Sequence, residues 1–450
     1  MIFFKKTIQL ILTMFSLTFS LYAGGNFDKA LGAQSKGYYF EAIQYYRLEL
    51  KRHPENHQAR SNMAVSLFQV NDLKKAEMEM KRSLKGNPFS VDSNYNLGLM
   101  LKKLGRFKEA ITRLEYAKRL RPSFFESYSQ LADLYEKVEN YAHAESTYSE
   151  MLKMKPKNPS LLFKFANFLV RATKYLEADK RFVQVLGLAG TDFNYNFAYA
   201  LFLDHKIDRS EEAIKRYKIA LKLKPGHVDS RLNLSLRLAK AGKVDEAKKN
   251  LKKLIGKYAP KSPHGYFHLG RLYKDESHYK KAIGLFNKAI ALDPGGKKPY
   301  EEKASIYVVQ KKYDLAAAQY LSISNFDPKY IKSYLFRGWA FETMGNPQGA
   351  LSLYQEAQQI SPLDLDVNLS LGNIYFTMNR KKEAITAYSK VLSIVDTHEL
   401  ARYRSGVLNF KMGDYDASKD HFEKIASESK FYQVSREYIS DKSRLPSSTD

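Results

Sequence analysis

A chain of 450 residues is too long for one compact core and calls for several domains or a repeat array. A hydrophobic content of 44% with 13% aromatics excludes a disordered or fibrous chain, and the absence of cysteine excludes disulfides, cysteine-ligated zinc, iron–sulfur clusters and thiol nucleophiles. Lys and Arg outnumber Asp and Glu by 73 to 48, a net +25 that favours acidic partners; residues 206–257 concentrate the excess, with 16 basic and 6 acidic side chains.

The first residues read as an export signal. Met1 to Lys6 is a short basic start, Ile8 to Phe19 an apolar run, and Ala23 a small residue for cleavage, so residues 1–23 are expected to be a signal peptide and the mature chain to begin at Gly24. The alternative is an uncleaved anchor, because residues 7–23 carry no charge and approach the length needed to span a bilayer. Either way the rest of the chain is expected outside the cytoplasm, periplasmic or secreted, and without a cysteine it is not a lipoprotein.

From there a period of 34 residues governs the chain. Ala42, Ala76, Ala110, Ala144, Ala178, Ala213, Ala247, Ala282, Ala316, Ala350 and Ala384 recur at that interval, with one extra residue before Ala213 and another before Ala282, and Ser418 closes the series. About twelve positions behind them stand the small residues Ala30, Ala64, Gly98, Ala132, Ala166, Ala200, Ser235, Gly270, Ala304, Gly338, Gly372 and Gly406. Prolines such as Pro54, Pro88, Pro122, Pro156, Pro294, Pro328 and Pro362 fall twelve ahead. The pattern is that of two antiparallel helices whose backbones meet closely at the small residues, followed by a proline that stops the second helix.

In residues 263–296, Tyr266, Leu269, Gly270, Tyr273, Ala282, Phe286 and Pro294 resemble the tetratricopeptide-repeat pattern. The resemblance covers residues 24–430 in about twelve units. It implies an all-α chain folded as a right-handed α-solenoid superhelix of stacked helix-turn-helix units. Residues 431–442 then read as a polar-faced capping helix over the last exposed seam, and 443–450 as a disordered tail. Gly190 stands where a proline is expected, an extra residue falls between Asp204 and Asp208, and another precedes Pro260. Residues 190–262 are therefore where a change of pitch, a hinge or a tolerated loop insertion is expected.

The resemblance also implies a concave groove lined by positions two, five, six, nine, twelve and thirteen of each unit. Those positions supply Asn62, Asn96 and Asn233, able to hold a peptide backbone with one donor and one acceptor, and the cations Lys102, Lys103, Lys137, Lys164, Arg171, Lys240, Arg271 and Lys274. Aromatics join them at Tyr95, Phe163, Phe197, Phe267, Trp339 and Tyr403, of which Phe163, Phe197 and Phe267 fit packing between units better than groove contact. The asparagines resemble part of the family's peptide-holding ladder, interrupted here by Gln130, Lys164 and Ala198. Lys248, Lys249, Lys252 and Lys253 lie on a second helix, the convex side, where charges are ordinarily solvated.

Phosphate-loop, dinucleotide, nucleophile-elbow and zinc-protease motifs do not occur in the sequence. His264 and His268 stand four apart on one helix face, but no third ligand is placed beside them, so neither metal nor cofactor is expected. The expected function is a non-enzymatic protein-interaction scaffold of the cell envelope that binds an extended, acidic partner segment in the groove. The alternatives are a binder of an anionic envelope polymer such as an acidic polysaccharide or peptidoglycan, and a non-catalytic subunit of an envelope enzyme. Nucleic acid is not an expected partner, and membrane contact is expected only through an uncleaved anchor.

Overall fold

The computed structural model describes residues 25–440, so the readings for residues 1–23 and 443–450, and the last two residues of the expected capping segment, lie outside the described residues. Among the described residues there are 25 α-helices, one π-helical turn and no strand. The described residues divide into two compact bodies, with the break between Leu223 and Lys224.

The N-terminal body holds six helix pairs: α1 (Asn26–Ser35) with α2 (Tyr39–Arg52), α3 (His57–Gln69) with α4 (Leu73–Gly86), α5 (Val91–Lys103) with α6 (Phe107–Leu120), α7 (Phe125–Lys137) with α8 (Tyr141–Met154), α9 (Pro159–Arg171) with α10 (Tyr175–Ala189), and α11 (Phe193–His205) with α12 (Ser210–Leu223). The C-terminal body holds six more: α13 (Val228–Lys240) with α14 (Val244–Lys253) and the π turn Leu254–Tyr258, α15 (Pro263–Asp275) with α16 (Tyr279–Leu292), α17 (Lys297–Val309) with α18 (Tyr313–Phe326), α19 (Ile331–Thr343) with α20 (Pro347–Ile360), α21 (Leu365–Thr377) with α22 (Lys381–Ile394), and α23 (Glu399–Met412) with α24 (Tyr415–Glu423). A last helix, α25 (Tyr432–Ser440), packs on α24. Repeats are numbered one to twelve in this order.

Local chemistry starts and stops these helices. Asn56, Asp72, Ser90, Asn158 and Asp192 cap helices of the N-terminal body by accepting a backbone N–H three residues on, as Ser262, Asn346, Asp364 and Asp414 do in the C-terminal one. Between the two helices of every repeat one residue adopts the left-handed region: glycine at Gly37, Gly105, Gly242, Gly345 and Gly413, but Asn71, Glu139, Thr173, Asp208, Ser277, Lys311 and Asn379 elsewhere. Only this reversal lets the second helix fold back onto the first.

Packing follows from the small residues. Ala64, Ala166, Ala200 and Ala304 are fully buried. A Cβ added at Gly270 would meet Phe286 at 2.7 Å and one at Gly406 would meet Phe422 at 2.5 Å, so the glycines are seats for rings of the second helix. The fourth position of most repeats latches one repeat to the turn before it. Asn94, Tyr128 and Asn196 donate to the carbonyls of Pro88, Pro122 and Gly190 at 2.8–2.9 Å, and Arg231, Tyr334 and Asn368 to those of Pro225, Pro328 and Pro362 at 2.8–3.0 Å. Those carbonyls follow a helix end and have no partner of their own in the helix ladder.

Within each body the second helix of a repeat packs on the first helix of the next, and first helices touch one another directly: α3 with α5 and α5 with α7, then α13 with α15, α15 with α17 and α19 with α21. First helices therefore line one face of each body. The irregular stretch 190–262 resolves into three separate features. α10 runs to 15 residues and is closed by Gly190, the extra residue of repeat six sits in the turn around Asp208 with φ 48°, and that of repeat seven is absorbed by the π turn. The division between the bodies falls inside the same stretch.

Candidate functional site

In the N-terminal body, α5, α7 and α9 bring several of the expected groove residues together. Lys164 and Arg171 border a cavity of about 490 Å³ whose other walls are Asp133, Glu136, Tyr148, Phe163 and Asn167. Tyr148 donates its hydroxyl to Glu136 at 2.7 Å, and Arg171 pairs with the other oxygen of the same carboxylate. Burial, with Glu136 second, raises the Tyr148 phenol well above its ordinary value, so it is a permanent donor. One repeat earlier, Lys102 donates to Gln130 at 2.7 Å and lies 3.7 Å from Asp133. Lys103 sits over the Phe68 ring and Lys137 over Phe107, each ammonium 5.2 Å from the ring centre. Asn62 is half-buried, accepts from Gln58 and reaches the Tyr46 hydroxyl, while Asn96 is half-buried in the corresponding place of the next repeat.

The C-terminal body repeats this arrangement with other residues. Lys240 and Arg271 border a second cavity of about 460 Å³ together with Ser235, His268 and Asp275, and Asn233 is half-buried on the same helix as Lys240. Lys274 pairs with Glu302 and reaches Ser305, and Arg271 lies 3.5 Å from the same carboxylate. Trp339 is 39% exposed, with Tyr313 edge-on at 5.8 Å and Phe336 at 5.2 Å behind it. His268 is pushed down to about 4 by burial, then by Arg271, His264 and Lys298, so a further cation beside it is opposed. Among the described residues no three His, Asp or Glu side chains converge on a point.

Two expectations are corrected. Tyr95 does not face the groove: it is 5% exposed and its ring meets Phe124 edge-on at 5.0 Å. The fifth position lies where the next repeat begins, as Phe163 against Tyr195 at 4.8 Å and Tyr403 stacked on Phe431 at 4.7 Å also show. Lys248, expected to be solvated, is instead held by Glu276 at 2.6 Å and Asp245 at 2.9 Å. Several of the expected groove cations have carboxylate partners on neighbouring repeats. Asp133, Glu136 and Glu302 stand about one period from the cations they hold, a spacing visible in the sequence once the period is known.

Family profiles described as tetratricopeptide repeat match residues 95–159, 232–297, 343–405 and 400–429. This chain belongs to the tetratricopeptide-repeat family. The array is similar to tetratricopeptide repeat protein 6 of Homo sapiens, 26% identical over 208 residues, which make up 46% of this chain and 40% of the relative. It is also similar to anaphase-promoting complex subunit 3 of Schizosaccharomyces pombe, 19% identical over 37% of this chain and 25% of the relative. The chain thus matches less than half the length of these curated relatives. Yeast Tom70 aligns over 97% of this chain and 95% of its own at 17% identity and a TM-score of 0.38. Tetratricopeptide repeats make the chain a scaffold for protein interactions, and among the described residues no catalytic domain stands beside them.

Proposed function

We propose that this array holds an extended segment of a partner protein along the first-helix face. The observation that carries the reading is the cavity of repeats four and five, where α7 and α9 offer a carboxylate, an ammonium, an amide and a half-buried aromatic in one row. Such a row can pair both the donors and the acceptors of a backbone, and Phe163 supplies an apolar floor. Because Lys102, Arg171, Arg271 and Lys274 already hold carboxylates of neighbouring repeats, the groove is a mixed polar track rather than a cationic one. Its preferred segment is therefore of mixed character, not uniformly acidic.

The setting we propose is the cell envelope, supported by the basic and apolar character of residues 1–23. Intact-mass measurement of the native protein should show loss of those residues; retention of Met1 would favour the anchor.

The test of the groove is direct. After cross-linking in intact cells identifies the partner, its affinity is compared for wild type and for Asn96→Ala with Lys164→Ala and Asn167→Ala. Each lost hydrogen bond removes about 0.5–1.5 kcal/mol, so the triple variant should bind about ten-fold or more weakly with unchanged helical circular dichroism. Equal binding would remove the site from this face. Trp339, the single tryptophan, should report partners that reach repeat ten through its fluorescence.

A further inference from the structure

We propose that the second-helix face of repeats seven and eight is a separate docking surface for an Asp- and Glu-rich segment of a partner protein. Residues 248–261 contain six Lys and no acidic side chain, and α16 adds Lys280, Lys281 and Lys288, again with no acid. Folding draws these charges together. Lys248 and Lys252 of α14 and Lys281 of α16 bring their ammonium groups to 5.8, 5.8 and 5.5 Å from the centre of one ring, Tyr273, at the junction of α14, α15 and α16. Lys257 lies over Tyr258, 5.4 Å from its centre, beside them on the π turn.

The carboxylates on this face are Asp245, Glu246 and Glu276. Glu276 and Asp245 are both taken by Lys248, and Asp245 also acts on Lys252 at longer range. Lys249, Lys253, Lys257, Lys280 and Lys281 make no ion pair among the described residues, and neither does Lys252. In the groove, by contrast, Lys102, Arg171, Arg271 and Lys274 hold carboxylates of neighbouring repeats. An acidic partner is therefore drawn to the second helices, where its carboxylates meet ammonium groups lacking counter-charges.

Two features favour a protein segment over other polyanions. Between Leu236 and Leu292 no large apolar side chain is exposed among the described residues, so the face offers nothing to insert into a bilayer. Its unpaired cations are all lysines, point charges on flexible stems that suit carboxylates scattered along a mobile chain better than the bidentate recognition of phosphates. The lysines of this surface lie on α14, the π turn and α16 and not on the first helices, so the surface does not depend on the groove reading.

The experiment uses the full chain and fluorescent poly-L-glutamate, with anisotropy as the readout. Wild type should bind, with affinity falling about ten-fold or more between low and physiological salt. Lys249→Gln with Lys252→Gln and Lys281→Gln should weaken binding about ten-fold, whereas Lys74→Gln with Lys108→Gln and Lys382→Gln, which removes the same charge elsewhere, should leave it within two-fold. Equal loss in both variants, or no binding by wild type, overturns the proposal. Binding of polygalacturonate or of phosphatidylserine vesicles without binding of polyglutamate overturns it in favour of a polysaccharide or a membrane. The groove variant Asn96→Ala with Lys164→Ala and Asn167→Ala should bind polyglutamate as wild type does, which separates failure of this surface from failure of the groove.

Discussion

Asn94, Tyr128 and Arg231 are chemically unlike, yet each occupies the fourth position of its repeat and donates to the carbonyl six residues back. What the position needs is a donor of the right reach, because a carbonyl that follows a helix end has no partner in the helix ladder. Asn368 shows this most fully: it is completely buried, donates to Pro362 and Asp364 and accepts from Gln358. Asn368→Ala is expected to cost about 1–3 kcal/mol in urea unfolding. The left-handed residue between helices gives a change of opposite sign. Thr173 is β-branched at φ 59°, a conformation glycine adopts freely, so Thr173→Gly should raise stability by about 1 kcal/mol in thermal melts. His268, with its imidazole held near 4 against an ordinary 6.5, stays neutral in the fold. Below about pH 6.5 the unfolded chain takes up a proton that the fold refuses, so stability present above that pH is lost as pH falls toward 4. Melting temperatures of His268→Gln should fall less than those of wild type between pH 7.5 and pH 4.5.

A pair of helices is held by a ring of the second helix seated on a small residue of the first. At Gly338 an added methyl would press into the ring of Tyr354, whose hydroxyl is committed to Glu342 at 2.5 Å and cannot swing aside without losing it. Overpacking of about 1–3 kcal/mol outweighs the gain of up to about 1 kcal/mol in helix propensity, so Gly338→Ala should destabilise. Gly187, on α10 with open space around it, should respond to the same change with a gain. Opposite signs in chemical unfolding would show that packing, not backbone freedom, selects glycine in the first helices. Matching signs would refute it. The element scale also explains how repeat seven tolerates its extra residue: a π turn keeps the helix continuous up to Tyr258, so the next repeat still starts on Ser262 as its cap.

At the scale of the whole chain, stability in each body should be a sum of repeat and neighbour terms, because within a body the helices pack in their own repeat and on the repeat beside it. Deleting residues 297–330, one full period inside the C-terminal body, should leave α16 facing α19 across an equivalent seam. The shortened chain should keep its helical circular dichroism per residue and lose stability in proportion to one repeat. Collapse of the helical signal would show that the repeats are not interchangeable modules. The end of the array is closed differently: Phe422 and Phe410 pack on Tyr438 of α25, and Tyr403 stacks on Phe431 just before it, covering a face that another repeat would otherwise bury.

The helix pairs, their length and the small residues that let them meet were all written in the sequence, because a period of 34 places each constraint at the same point of every repeat. The left-handed turn was not legible in the same way, because it falls on glycine at Gly37, Gly105, Gly242, Gly345 and Gly413 but on Asn, Glu, Thr, Asp, Ser or Lys elsewhere. The candidate site was only half legible. The resemblance placed Lys164 and Arg171 on one first helix, where both border a cavity, and periodicity could not say that Arg171 would spend its charge on Glu136 or that Tyr95 would be covered by Phe124. Nor could it show Lys281 joining Lys248 and Lys252 around Tyr273. Secondary structure depends on neighbours within a few residues, which a sequence displays in order. Pairing of charges and covering of rings depend on side chains a whole repeat apart, and only the stacking of one helix pair on the next brings those into reach.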